Sequence, residues 1–405
     1  MKKHLFLAAV VGMALTGCVN EESENLTQQQ ARKISFDTPV MGTQTRAIET
    51  VDYNSDAWRG NGEVKGTAFP KSQFWSFGIF ANMHEGDYSA WNDGKNFWDW
   101  QLDTEWESLN TTFSLKAGRY DQDSDSFIIV EPGNEDEEIY YYPNGYKLSF
   151  EAFAPYLDDV EVTCGDDGLT ITDYTHFTDN EWINNSSSNC IDLMYTGLVN
   201  NYTAENQPET GIPLVFKHTM ASIAVVLDIP TVGEFTYSIS EITISGDSFI
   251  TTATFKENYG VEDETPRWMT EDATGESMTF TFYDSDSFNE FPQPDEEDGT
   301  IYTLNGGESA LLMIPQDVPD DAVMTISYAM RNKLNASEIY GFTPEIKLTD
   351  FLKENKETIE KWEMGNRYKY IVRFAQNVRV PLKFNPSIES DWIEGGNAEY
   401  TITDL

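Results

Sequence analysis

Near its C-terminus the chain alternates two kinds of side chain at every step: Tyr368, Tyr370, Val372 and Phe374 interleave with Arg367, Lys369, Ile371 and Arg373. Successive side chains of an extended strand point to opposite faces, so this order specifies a strand with one apolar and one largely basic face. After a turn at 375–377, Val378, Val380, Leu382 and Phe384 alternate with Arg379, Pro381 and Lys383, which predicts a hairpin. The same reading applies upstream. Leu148, Phe150, Ala152 and Ala154 face away from Lys147, Ser149 and Glu151, predicting a half-buried strand that stops at Pro155. Bulky residues at successive positions from Phe74 to Ala81 predict a strand buried on both faces. Leu214, Phe216, His218 and Met220 share a face before the parity shifts to Ile223, Val225, Leu227 and Ile229, which implies a bulge near Ala221 and Ser222 or burial on both faces. Further strands are expected at 190–195, 241–245, 278–282, 310–315, 323–328 and 398–403, and one short helix at 349–362 with Thr349 as N-cap. The stretch 200–211 reads as a polar linker. The chain is mostly β.

The N-terminus carries a different signal. Lys2 and Lys3 precede an apolar run from Leu5 to Leu15, too short for the roughly 20 apolar residues a membrane span needs. The run ends in Leu15-Thr16-Gly17-Cys18, which resembles a bacterial lipobox, with Cys18 as the residue that takes the lipid and becomes the new N-terminus. The acidic stretch 19–24 behind it resembles an export signal for lipoproteins shown on the outside of the outer membrane. Residues 19–32 read as a tether, and Ile34 and Phe36 place two apolar side chains on one face of a short strand. The polar stretch 42–47, which contains Arg46 and Ala47, is a good protease substrate if exposed.

With 405 residues the chain can bury a substantial core, and length favours two domains. Its formal charge of −43 argues against nucleic acid as a partner, because phosphates would repel it. The four histidines are isolated from one another, and no nucleophile elbow, zinc-protease, phosphate-binding or dinucleotide motif is present. No catalytic residue, no metal ligand and no cofactor is therefore assigned, and the chain is read as not an enzyme. Cys164 and Cys190 could pair in an oxidising compartment. Trp91, Trp98, Trp100 and Trp106 could stack on sugars or pack inside, and His218, among apolar neighbours, reads as a core histidine. Lys361, Arg367, Lys369, Arg373, Arg379 and Lys383 make one segment basic within an acidic chain; this either steers it towards an acidic partner surface or guards an edge against aggregation.

Several stretches, in order, resemble the fimbrillin family, the subunits of type V pili. They are Ile34–Phe36 followed by Thr45–Ala47, Tyr142-Pro143 with Leu148–Phe153, Ile191–Tyr195, Phe216–Ile223, Leu312–Gln316 and Trp362–Tyr370, all behind the lipobox. The resemblance implies two tandem transthyretin-like Greek-key β-sandwich domains with few short helices. On this reading 1–18 is the signal peptide, 19–46 the tether and propeptide with a removable first strand, 47–208 the N-terminal domain, and 209–405 the C-terminal domain with the donor segment. It also implies a lipoprotein at the cell surface or in the fimbrium, anchored in the outer membrane through Cys18. An arginine-specific protease would cut between Arg46 and Ala47, and the strand holding Ile34 and Phe36 would leave. Other pilus subunits would then be joined by a donor strand, with Val378, Val380, Leu382 and Phe384 entering alternate pockets and host or bacterial surface ligands as adhesion targets. The competing reading is a surface glycan-binding lipoprotein.

Overall fold

The computed structural model describes residues 32–37, 40–41, 67–68, 76–99, 113–121, 126–132, 137–177, 181–183, 191–229, 235–257, 266–290, 301–303, 311–351, 358–374, 383–387 and 400–401. Among these the chain is nearly all β, and its only helical turns are short 3₁₀ segments such as Trp91–Asp93 and Leu348–Asp350. No helix among the described residues is long and apolar enough to cross a membrane.

The first sheet is built on Ser76–His84 and Lys147–Ala154, paired antiparallel with Gly78 opposite Phe153 and His84 opposite Lys147. Lys116–Asp121 and Ser126–Val130 extend it on one side; Met194–Tyr195 and Val215–His218 extend it on the other. Alternate residues of its central strands feed two cores. Phe77, Ile79, Leu148, Phe150 and Ala152 join one core with Tyr140, Tyr142, Ile212 and Phe216, while Phe80 and Phe153 join a second with Leu169, Ile171, Phe255 and Trp268 from a four-stranded sheet. Lys147–Ala154 is thus covered on both faces, not half-buried as its alternation predicts: Ser149 and Glu151 are fully buried. The polar residues of its pattern mark a second packed layer where the sequence implies solvent.

The parity shift after His218 is a handover between sheets. Val215–His218 belongs to the first sheet, Thr219 and Met220 cross over, and Ala221–Asp228 starts another sheet. The crossing is held by Trp268, whose Nε1–H donates to Thr219 O at 2.8 Å, and by Gly365 N–H donating to Met220 O at 2.8 Å. Ala221–Asp228 then lies between Leu311–Met313 and the parallel strand Arg367–Arg373. This sheet packs on a second one, centred on Phe235–Phe249, Glu276–Glu290 and Val323–Asn332, to make a β-sandwich whose core runs from Val225 and Ile242 to Trp362 and Tyr370.

Two local expectations fail. Among the described residues of 349–362 no α-helix forms: Leu348–Asp350 is a 3₁₀ turn without a side-chain cap, and Lys361–Trp362 is a strand paired with Gln316–Asp317. Trp362 is buried, but its anchorage comes from that ladder and from donating Nε1–H to the Tyr370 hydroxyl at 3.0 Å. Nor is 200–211 a linker. Val199–Tyr202 pairs with Lys147–Ala154, and Gln207 and Gly211 are buried against the first core. In the C-terminal hairpin, Tyr368, Tyr370, Val372 and Phe374 are buried as predicted. The described return strand is Lys383–Ser387, with Phe384 opposite Val372 and Tyr400–Thr401 outside it. Arg367–Arg373 is an interior strand, so its basic residues do not guard a sheet edge.

Candidate assembly groove

The segment 32–37 lies in a slot between two stretches of backbone. On one side Ile34 N–H donates to Tyr140 O at 2.9 Å and Tyr142 N–H donates to Arg32 O at 3.4 Å, an antiparallel bridge centred on Lys33 and Tyr141. On the other, Ile212 N–H donates to Ser35 O at 2.7 Å and Asp37 N–H donates to Ile212 O at 2.8 Å, a parallel bridge centred on Phe36. Both edges of one short segment are therefore paired, as in an interior strand. Farther along, Val40–Met41 pairs in parallel with Val215 and Phe216 and antiparallel with Thr67–Ala68.

The side chains follow the period of two. Ile34 and Phe36 turn inward, each only 6% exposed, and the Phe36 ring meets Phe150 at 5.3 Å and Phe77 at 6.3 Å, edge-on to both. Burial of each contributes about 2 kcal/mol by area transfer, with the aromatic geometry adding to Phe36. Lys33 turns outward into an ion pair with Glu137. Arg32 is clamped by two backbone acceptors, its Nη1 donating to Ala204 O at 2.6 Å and its Nη2 to Pro208 O at 2.9 Å. Gln207 reaches across with its amide: Nε2 donates to Lys33 O at 3.3 Å and to Ser35 Oγ at 3.1 Å, and Oε1 accepts from Ser35 N–H at 3.4 Å and from the Tyr142 hydroxyl at 2.7 Å. Gly211, at φ +111°, gives the segment room: a Cβ there would stand 2.6 Å from Asp37 N and Phe36 C.

Burial holds the Tyr140 and Tyr142 phenols protonated far above their ordinary range; the bond to Glu138 reinforces this for Tyr140, and the neighbouring Tyr202 does so for Tyr142. Both stay hydrogen-bond donors at any physiological pH. The slot brings together no nucleophile, base and oxyanion donors. It offers paired backbone edges, apolar seats and a polar brace, which suit an extended peptide.

Of the residues singled out from sequence, Ile34 and Phe36 lie in the slot. Cys18, Arg46, Ala47, Cys190, Val378, Val380 and Leu382 fall outside the described residues, as do Trp100 and Trp106. Phe384 lies in the strand Lys383–Ser387, and Cys164 is a free thiol on Val162–Gly165. Trp91 and Trp98 are core residues, 1% and 3% exposed, and form no sugar platform. His218 is buried with Nδ1 2.7 Å from Asp192 Oδ2, a core histidine. Sequence reasoning missed Arg32, assigned to the tether, and Gln207 and Gly211, assigned to the linker. Periodicity carries no signal for them, because Gln207 and Gly211 act from a turn region and Arg32 acts through distant backbone carbonyls.

The family model described as fimbrillin-like matches residues 83–392. Among solved structures, a fimbrial protein from Bacteroides vulgatus aligns over 88% of this chain and 99% of its own at 16% identity and TM-score 0.51. A candidate cell adhesion protein from Bacteroides uniformis aligns over 80% of this chain and 94% of its own at 14% identity and TM-score 0.39. No curated protein matches the chain. The match to the family model covers well over half of the residues, and the chain belongs to the fimbrillin-like family.

Proposed function

We propose that this chain is a structural subunit of a cell-surface pilus. It is exported as a lipoprotein through Cys18, anchored at the outer membrane, matured by an arginine-specific protease between Arg46 and Ala47, and polymerised with other pilus subunits by donor-strand exchange in support of adhesion. The observation that carries this reading is the slot around 32–37. A segment paired along both edges and seated by Ile34 and Phe36, with Val40–Met41 paired beyond it, is linked covalently to the body only through the stretch that holds Arg46. A cut there would leave the segment held by non-covalent contacts alone. Its departure would uncover Tyr140 O, Tyr142 N–H and both polar groups of Ile212 above an apolar trough, a strong template for another chain's strand. The donor is the segment from about Arg379 to Leu405, with Val380, Leu382 and Phe384 as its apolar positions and Val378 at its leading edge. Its described strands, Lys383–Ser387 and Tyr400–Thr401, lie at the outer end of their sheet, so they can detach without splitting the sandwich.

The test is treatment of lipid-free protein with an arginine-specific protease, followed by N-terminal sequencing and an unboiled gel. The expected outcome is a new N-terminus at Ala47 and a ladder of detergent-resistant oligomers. Resistance at Arg46, or a monomer after cleavage, would sink the reading.

A further inference from the structure

The slot pairs with its occupant at two consecutive positions on the parallel side, and only one of them uses backbone. Ile212 contacts Ser35 O and Asp37 N–H, the carbonyl and amide that flank Phe36. Two residues earlier, the groups that flank Ile34 are Lys33 O and Ser35 N–H, and both are met by the side-chain amide of Gln207. A parallel neighbour contacts a strand in this way, through the oxygen before and the nitrogen after one residue. An amide side chain presents the same donor and acceptor pair as a peptide unit. Its orientation is set by its surroundings: Lys33 O can only accept, so Nε2 must face it, and the Tyr142 hydroxyl donates to Oε1 at 2.7 Å. Gln207 is 5% exposed and Tyr142 3% exposed, so the brace is packed in place.

We propose that Gln207, braced by Tyr142, is a backbone-reading residue of this slot: its amide stands in for one residue of a neighbouring strand and binds the occupant whatever its side chains. Today the occupant is the chain's own segment. Resting on the pilus reading above, the later occupant is an extended strand of a second copy, which Gln207 would hold in the same register. Such a contact has a use here, because the incoming strand and the departing one need not share a sequence, while every non-proline strand offers the same carbonyl and amide.

Hydrogen exchange on the intact, uncut chain decides the point. In Gln207→Leu the fragment containing Ser35 should exchange about tenfold faster than wild type, the effect of losing buried hydrogen bonds of ordinary strength. Gln207→Glu, which keeps the acceptor for Ser35 N–H and loses the donor for Lys33 O, should fall between the two. Ser35→Ala, which removes only the side-chain contact, should stay within about twofold of wild type. Fragments from Val323–Asn332 serve as the folding control and should not change. Unchanged exchange in both Gln207 variants overturns the proposal, and so does a Ser35→Ala effect as large as that of Gln207→Leu, since the recognition would then be of a side chain. Because no cleavage or assembly enters the measurement, failure of the pilus reading and failure of this one are separable.

Discussion

Gly211 shows how one residue controls the slot. Its φ of +111° suits glycine, and the missing Cβ leaves space for the backbone of Phe36 and Asp37. Gly211→Ala should strain the turn and push against the seated segment at once, weakening its hold by about 2 kcal/mol or more. Hydrogen exchange of 32–37 reads this directly, and an unchanged rate would show that the segment tolerates the shift. Sequence alone marks Gly211 only as the end of a polar linker. The contact that makes it matter is with Phe36 and Asp37, about 175 positions away in the chain, and local pattern carries no information about such a partner.

The strand Lys147–Ala154 carries two fully buried polar side chains, Ser149 and Glu151. Glu151 is fully buried on it, Glu257 lies 4% exposed beyond the end of Thr252–Lys256, and the field of both carboxylates acts on Lys217 of Val215–His218. Burial lowers the Lys217 pKa, and Glu257 and Glu151 pull it back up. Removing the cation takes away the positive charge whose field reaches both buried carboxylates. Lys217→Met should therefore destabilise the fold by roughly 3 kcal/mol, even though methionine suits the volume. A denaturant melt checks this, and a stability equal to wild type would mean that the carboxylates do not depend on the lysine. The alternation in 147–154 was legible as a strand, and its register follows from Leu148, Phe150 and Ala152. What failed was the inference that Ser149 and Glu151 meet water, because their face packs towards a layer of Val162–Gly165, Gly168–Thr175, Thr252–Lys256 and Arg267–Met269, and His84 and Asn201 close over Ser149. The expected helix failed for a related reason: the ladder that Trp362 joins is with Gln316, and strand pairing across 46 residues outweighs a weak local helical preference.

Across the fold, His176 ties the four-stranded sheet to the strand Leu311–Met313. Its Nε2–H donates to Leu312 O at 2.8 Å, and Nδ1 accepts from the Tyr174 hydroxyl at 3.2 Å, so both nitrogens are used by the neutral ring. Burial depresses its pKa from 6.5 to about 4 despite the favourable carbonyl. The unfolded chain takes up a proton near pH 6.5 and the folded chain resists until about pH 4. Stability is therefore complete above pH 6.5, falls as pH drops through that window, and levels off below it, with a loss of about 3 kcal/mol from this residue. Burial lowers the His84 pKa too, and its share has the same sign. Denaturant midpoints measured between pH 7 and pH 4 should show the decline, and His176→Gln should flatten it; an equally steep profile in the variant would remove His176 as the cause.

By itself the sequence determined that the chain is mostly β, which faces of its strands are apolar, that His218 is a core residue, and that Ile34 and Phe36 form a short apolar pair. These are consequences of alternation and side-chain size, which act between near neighbours. The tertiary structure decided that Ile34 and Phe36 are held between Tyr140–Tyr142 and Ile212, that Gln207 and Gly211 shape that slot, and that the chain changes sheets at Thr219 and Met220. Those outcomes depend on which distant backbone groups find each other when buried polar atoms must all be paired. A local pattern shows that a strand needs neighbours, and only the assembled sheets show which ones it has.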